Sequence, residues 1–127
     1  MSTQLTKNFT LAEFACHDAA GTPVPAQYVG NCQELANNLQ VLRDALGEPV
    51  RVLCGYRTPV HNAAVGGVPH SQHLVAKAAD LAVAGLTPKE LHAHIELQIT
   101  LGKMKQGGLG LYPGFVHYDI RGFKARW

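Results

Sequence analysis

Several function classes are excluded first by what this chain lacks. Its opening residues, Met1-Ser2-Thr3-Gln4-Leu5-Thr6-Lys7, contain no apolar stretch of the kind a secretory leader needs. No apolar run reaches the roughly 18 residues of a membrane-spanning helix, so no membrane segment is expected. Blocks of like charge are also missing: 11 basic and 9 acidic residues leave a net charge of only +2. Phosphate neutralisation needs a clustered basic face, so nucleic acid is not an expected partner. Cysteine is scarce, with Cys16, Cys32 and Cys54 and no CxxC pair. An odd set without paired spacing is poor material for a disulfide framework, and buried thiols are expected. There is no internal repeat, linker or low-complexity tract.

What remains is the composition of one globular domain over residues 1–127, with 46% hydrophobic residues. Thr10 and Glu13 have capping-box spacing and open a short helix that carries Phe14. Leu35, Leu39, Leu42 and Leu46 share one face of a helix expected over about 31–46, stopped by Gly47 and Pro49. Val50 to Leu53 is β-branched and bounded by Pro and Gly, which predicts a strand. Gly55 to Gln72 reads as a long loop. Ala78 to Ala84 predicts a second strand, with Asp80 and Ala82 on one face and Ala79, Leu81 and Val83 on the other. Thr87-Pro88-Lys89-Glu90 is another capping box and starts a helix to about Leu101, with Leu91, Ile95 and Ile99 buried. The tail from Gly107 reads as a β-hairpin turning at Pro113-Gly114. Helices followed by strands, with one helix between them, predict an α+β fold with an antiparallel sheet.

The chemistry-bearing residues fall at the ends of these elements. His73, Asp80 and His117 are two imidazoles and a carboxylate, a set that Zn²⁺ accepts while keeping a position open for water. By spacing alone, ordinary polar residues on strands are the more common reading. Asp119 lies two residues beyond His117 and so shares its strand face. His92 and His94 sit two apart on a helix and face different ways, which makes them surface residues. His17 and His70 flank turns, and His61 belongs to the loop. Arg57 follows the Val50–Leu53 strand. Its guanidinium there would hold a carboxylate, stabilise an oxyanion, or simply face solvent.

Five segments taken together carry a resemblance: Cys54-Gly55-Tyr56-Arg57-Thr58-Pro59, Asn62-Ala63-Ala64-Val65-Gly66-Gly67, Ser71-Gln72-His73, Ala78-Ala79-Asp80 and Phe115-Val116-His117-Tyr118-Asp119. In this order they resemble the zinc D-alanyl-D-alanine carboxypeptidases and phage L-alanyl-D-glutamate endopeptidases, relatives by fold of the Hedgehog signalling domain. The likeness runs from about Phe9 to Trp127. It implies a small antiparallel sheet flanked by helices. It also implies Zn²⁺ ligands at His73, Asp80 and His117, supporting roles for Ser71 and Tyr56, and Arg57 facing the substrate or the tetrahedral intermediate.

The resemblance implies zinc-dependent hydrolysis of a peptide bond in the peptidoglycan stem peptide or crosslink. A monomer acting on the cell wall is expected, and its origin, phage, prophage or bacterial, is left open by the sequence. A zinc-bearing cell-wall-binding or phage structural module with little hydrolysis is the alternative. Two positions depart from the pattern. Ala76 stands where the family usually has Gly, a change that matters only if the backbone there needs positive φ. Gly114 stands three residues before His117, where many members carry an acidic general base. Asp119 is then the nearest candidate, either as the base or as the partner that fixes an imidazole tautomer. His61 and His70 are further candidates for the base.

Overall fold

Local sequence signals set most elements of the computed structural model, which describes residues 3–127. Helix α1 spans Val29–Leu46, preceded by a 3-10 turn at Ala26–Tyr28. Its apolar stripe buries Cys32, Leu35, Ala36, Leu39 and Leu42. Each fully buried leucine of this kind contributes about 2 kcal/mol relative to exposure. Gly47 ends the helix in the left-handed region, with its N–H on the Arg43 carbonyl at 3.0 Å. Helix α3 spans Pro88–Thr100 and shows both halves of the expected capping box. Glu90 N–H donates to Thr87 Oγ1 at 3.1 Å, and Thr87 N–H donates to the Glu90 carboxylate at 2.9 Å.

Between them the loop expected over 55–72 is broken by a short helix α2, Pro59–Ala64. Thr58 caps it by accepting from His61 N–H at 3.1 Å, and Pro59 takes the first helical position. This is the same Thr-Pro signature that opens α3. The element near the N-terminus, Leu11–Phe14, is a 3-10 turn, its start tied by Thr10 N–H donating to Glu13 at 2.9 Å.

The sheet has five strands: β1 Arg51–Cys54, β2 Ala78–Ala82, β3 Gly108–Leu111, β4 Val116–Asp119 and β5 Ala125–Arg126. Their order is β1-β2-β4-β3-β5, antiparallel except for the β3–β5 pair. The fold is the expected α+β type. Only two residues long, β5 is too short to carry a period, and the hairpin expectation did not include it. Ala79, Leu81 and Val83 join Leu109, Val116 and Tyr118 in the core with residues of α1 and α3. By strand alternation, Asp80 and His117 then face the other way. Among the described residues, no helix is long and apolar enough to cross a membrane.

Between α2 and β2 a 3-10 turn, Gln72–Val75, presents His73 and ends at Ala76. Ala76 is buried and left-handed, with φ 59° and ψ 33°. This is the conformation in which the departure from Gly costs energy, about 1–2 kcal/mol. Ala76→Gly should stay within about 1 kcal/mol of the parent, because relief of that strain offsets the lost buried methyl and the added chain entropy. Ala76→Val should cost more than about 2 kcal/mol, since a β-branched side chain disfavours this region and the site is closely packed. Urea midpoints of the two variants check this.

Candidate metal centre

A row of cross-strand partners builds the site. Register pairs Cys54 of β1 with Asp80 of β2, and Asp80 in turn with His117 of β4. A bulge between Val52 and Cys54 shifts β1 and brings Cys54 opposite Asp80. His73 arrives from the 3-10 turn, where Ser71 Oγ accepts its backbone N–H at 3.2 Å. That bond is the physical content of the Ser-x-His spacing: Ser71 starts the turn that aims the imidazole.

Both imidazoles point one ring nitrogen at the same carboxylate oxygen. His73 Nε2 and His117 Nδ1 each lie 3.3 Å from Asp80 Oδ1. Two tetrahedral ligands about 2.0–2.1 Å from one zinc ion stand about 3.3–3.4 Å apart, so these spacings fit shared coordination. The opposite nitrogens are committed elsewhere. His73 Nδ1 donates to the Gly55 carbonyl at 2.6 Å, and His117 Nε2 donates to Asp119 Oδ2 at 2.7 Å. Each of these bonds sets the tautomer that turns a lone pair toward Asp80. Two lone pairs and a carboxylate oxygen facing one another require a cation or a proton between them. This donor set therefore fits Zn²⁺.

Cys54, His73 and Asp80 form a second, overlapping set whose ligand atoms lie within 4.8 Å of one another. Cys54 is half-buried, unlike the fully buried thiols of Cys16 and Cys32. Its Sγ lies 3.9 Å from His73 Nδ1, the nitrogen already bound to Gly55, and accepts from Arg57 Nε at 3.3 Å. The sequence offered no metal-type spacing for Cys54; only the strand register reveals its place.

Arg57 lies beside the site, with its NH2 group 3.6 Å from Asp80 Oδ2. Its orientation is set from α2: Asn62 Oδ1 accepts from Arg57 NH1 at 3.3 Å, while Asn62 Nδ2 donates to the Val68 carbonyl at 2.9 Å. Tyr56, expected in a supporting role, is buried in the core with its ring 6.2 Å from that of Tyr28 and does not line the cleft. His92 and His94 lie on α3, away from the cleft.

Asp119 has no exposed surface, and five donors surround its carboxylate. Gly108 N–H, Arg121 N–H and Arg121 Nε serve Oδ1 at 2.9, 3.1 and 2.8 Å. His117 Nε2 and Arg121 NH2 serve Oδ2 at 2.7 and 2.8 Å. A general base must reach substrate or water with a free lone pair. Asp119 has none to offer and sits behind His117, on the far side from Asp80. Of its two expected roles, this enclosure favours the partner that orients His117 over the base.

The site opens into a cleft of about 410 Å³ bounded by Val65 to Val68, Ser71, Gln72, Tyr112, Phe115 and Trp127. Asp80 is the one acidic residue among its lining groups, which also include Arg57, His70 and Arg121. Gly114 stands in an exposed turn with open space around it.

The electrostatics follow from burial and pairing. Burial works against a charged His73, but the hydrogen bond and charge of Asp80, with help from Cys54, outweigh it and push the group up to about 9. Burial likewise works to raise Asp80, yet His117 and His73 hold it well below the usual carboxylate range. Burial also opposes ionisation of Asp119, and His117, Arg121 and Gly108 N–H overcome it. A raised His73 contributes stability that is fully present below its ordinary 6.5 and lost as pH rises through about 9. The lowered aspartates contribute stability above their ordinary 3.8 that is lost on acidification. The metal-free protein should therefore melt at progressively lower temperature from pH 6.5 to 9, and zinc should flatten that slope. Scanning calorimetry with and without chelator measures both.

No curated protein matches the chain. The family model described as Peptidase M15 matches residues 7–119, which include His73, Asp80, His117, Arg57 and Asp119. By a match over nearly its whole length, the chain belongs to the peptidase M15 family of zinc-dependent metallopeptidases.

Proposed function

We propose that this protein hydrolyses a peptide bond in the stem peptide or crosslink of peptidoglycan, with Zn²⁺ held by His73, Asp80 and His117. The observation that carries the reading is the convergence of His73 Nε2 and His117 Nδ1 on one oxygen of Asp80. His117 is favoured over Cys54 as the third ligand because its inward nitrogen is free. Cys54 instead approaches the committed nitrogen of His73 and has the Arg57 guanidinium against its sulfur. Membership of a peptidase family and the five resembling segments support a peptide substrate. A cleft with Arg57, Arg121 and His70 against a single paired acid suits the acidic peptides of the cell wall.

When bound, Zn²⁺ activates water at neutral pH and polarises the carbonyl under attack. Arg57 supports the developing oxyanion from the Asp80 side of the cleft. Asp119 holds the His117 ring and its tautomer. With Asp119 enclosed and Gly114 bare, His70 is the proton carrier of this proposal. It lines the cleft, and its side chain makes no hydrogen bond among the described residues. His70 returns a proton to the leaving amine.

The shortage of acids in the cleft favours one rival, a zinc-bearing wall-binding module without turnover. Stoichiometric zinc and murein binding, with no fragment released across pH, would establish that rival. The hydrolytic reading expects His73→Ala to lose zinc and all release of murein fragments in mass spectrometry. Fragment release at full rate by that variant would sink it. His70→Ala should keep zinc and lower kcat by about 100-fold with KM little changed. Cys54→Ser should keep stoichiometric zinc, and the cobalt-loaded parent should show no sulfur-to-metal absorption band. Such a band would move the third ligand to Cys54.

A further inference from the structure

The glycines of β3 and the last residues of the chain have no part in the reading above, yet they meet at one imidazole. Arg121 grips Asp119 through a planar fork, Nε on Oδ1 and NH2 on Oδ2, both at 2.8 Å. The same Asp119 Oδ2 accepts from His117 Nε2 at 2.7 Å. Trp127 lays its ring 4.9 Å from the His117 ring and 5.3 Å from the Arg121 guanidinium, and so touches both ends of this chain of contacts. The indole is itself held, with Nε1 donating to Tyr112 Oη at 2.7 Å and its backbone N–H donating to the Leu109 carbonyl at 3.3 Å. The glycines of β3 make room for both groups. A Cβ at Gly108 would overlap the Asp119 carboxylate, and one at Gly110 would overlap the Trp127 indole.

We infer that Arg121 and Trp127 are positioning residues for the metal, holding His117 in the tautomer and direction that zinc binding needs. This rests on His117 being a zinc ligand, as proposed above. Asp119 by itself fixes a proton on Nε2 but leaves the ring free to tilt about that bond. The bidentate Arg121 fork locks the carboxylate plane, and the Trp127 face blocks the ring from swinging toward the cleft. A lysine at 121 would keep the charge and lose the plane.

Zinc affinity of folded protein, measured by competition with a chromophoric chelator, tests this apart from turnover. Arg121→Ala and Trp127→Leu should each weaken zinc binding by about 10–100-fold, with faster zinc release. Arg121→Lys should recover only part of the loss, and Trp127→Phe most of it. Circular dichroism of each metal-free variant establishes that the chains compared are folded. Should Arg121→Ala fail to fold, Arg121→Lys and Trp127→Leu carry the test. Folded variants that bind zinc as tightly as the parent would overturn the inference while leaving the proposed ligand set intact. A parent protein that binds no zinc would instead remove the proposed function itself.

Discussion

The pairing of Asp80 with His117 across β2 and β4 is the constraint on which the rest of the structure depends. One register step in either direction would turn His117 into the core and Tyr118 out of it, because side chains alternate along a strand. The core enforces the register. Ala79, Leu81, Val116 and Tyr118 fill the face toward α1 and α3, and Tyr118 Oη donates to the Lys105 carbonyl at 2.7 Å. The apolar face therefore fixes the polar face. Asp80 and His117 are held opposite each other by the packing behind them.

Around that pair the protein arranges support on two sides. On one, Ser71 starts the turn that presents His73, and the Gly55 carbonyl sets its tautomer. On the other, Asp119 does the same for His117, backed by Arg121. The two halves are built from different chemistry, a neutral carbonyl against an ion-paired carboxylate. A carboxylate partner makes an imidazole the more basic ligand. Burial raises the energetic stakes on both sides: five donors surround the Asp119 carboxylate, and Asp80 has the Arg57 guanidinium and the two imidazoles beside it.

Strain marks the same region. Ala76 adopts a left-handed conformation between the His73 turn and β2, which lets the chain turn sharply from one ligand into the strand bearing the next. A residue in this position sits where local preference yields to the geometry of the site. The departure from Gly is a cost carried by this chain and not a change in its path.

Much of this was legible in the chain, for reasons specific to each element. The α1 leucines and the α3 capping box are local patterns, and local patterns survive without knowledge of the rest. Helix α2 carried the same Thr-Pro start as α3, but six residues are too few for a periodic stripe to support it. Strand β5 is shorter still. Arg57, His73, Asp80 and His117 could be singled out because their residue types are suited to metal and oxyanion chemistry. Cys54 and Trp127 could not, because each matters through a partner distant along the chain, and Asn62 and Arg121, though near Arg57 and Asp119 in sequence, carry no spacing that marks the contact. The sequence by itself determined most of the elements, the apolar faces and the residue types able to hold a cation. Only the tertiary structure decided which nitrogen each histidine turns inward, that Asp119 is enclosed, and that Cys54 stands beside the site. Those outcomes depend on strand register and on hydrogen bonds that close over long loops, and no local period encodes either.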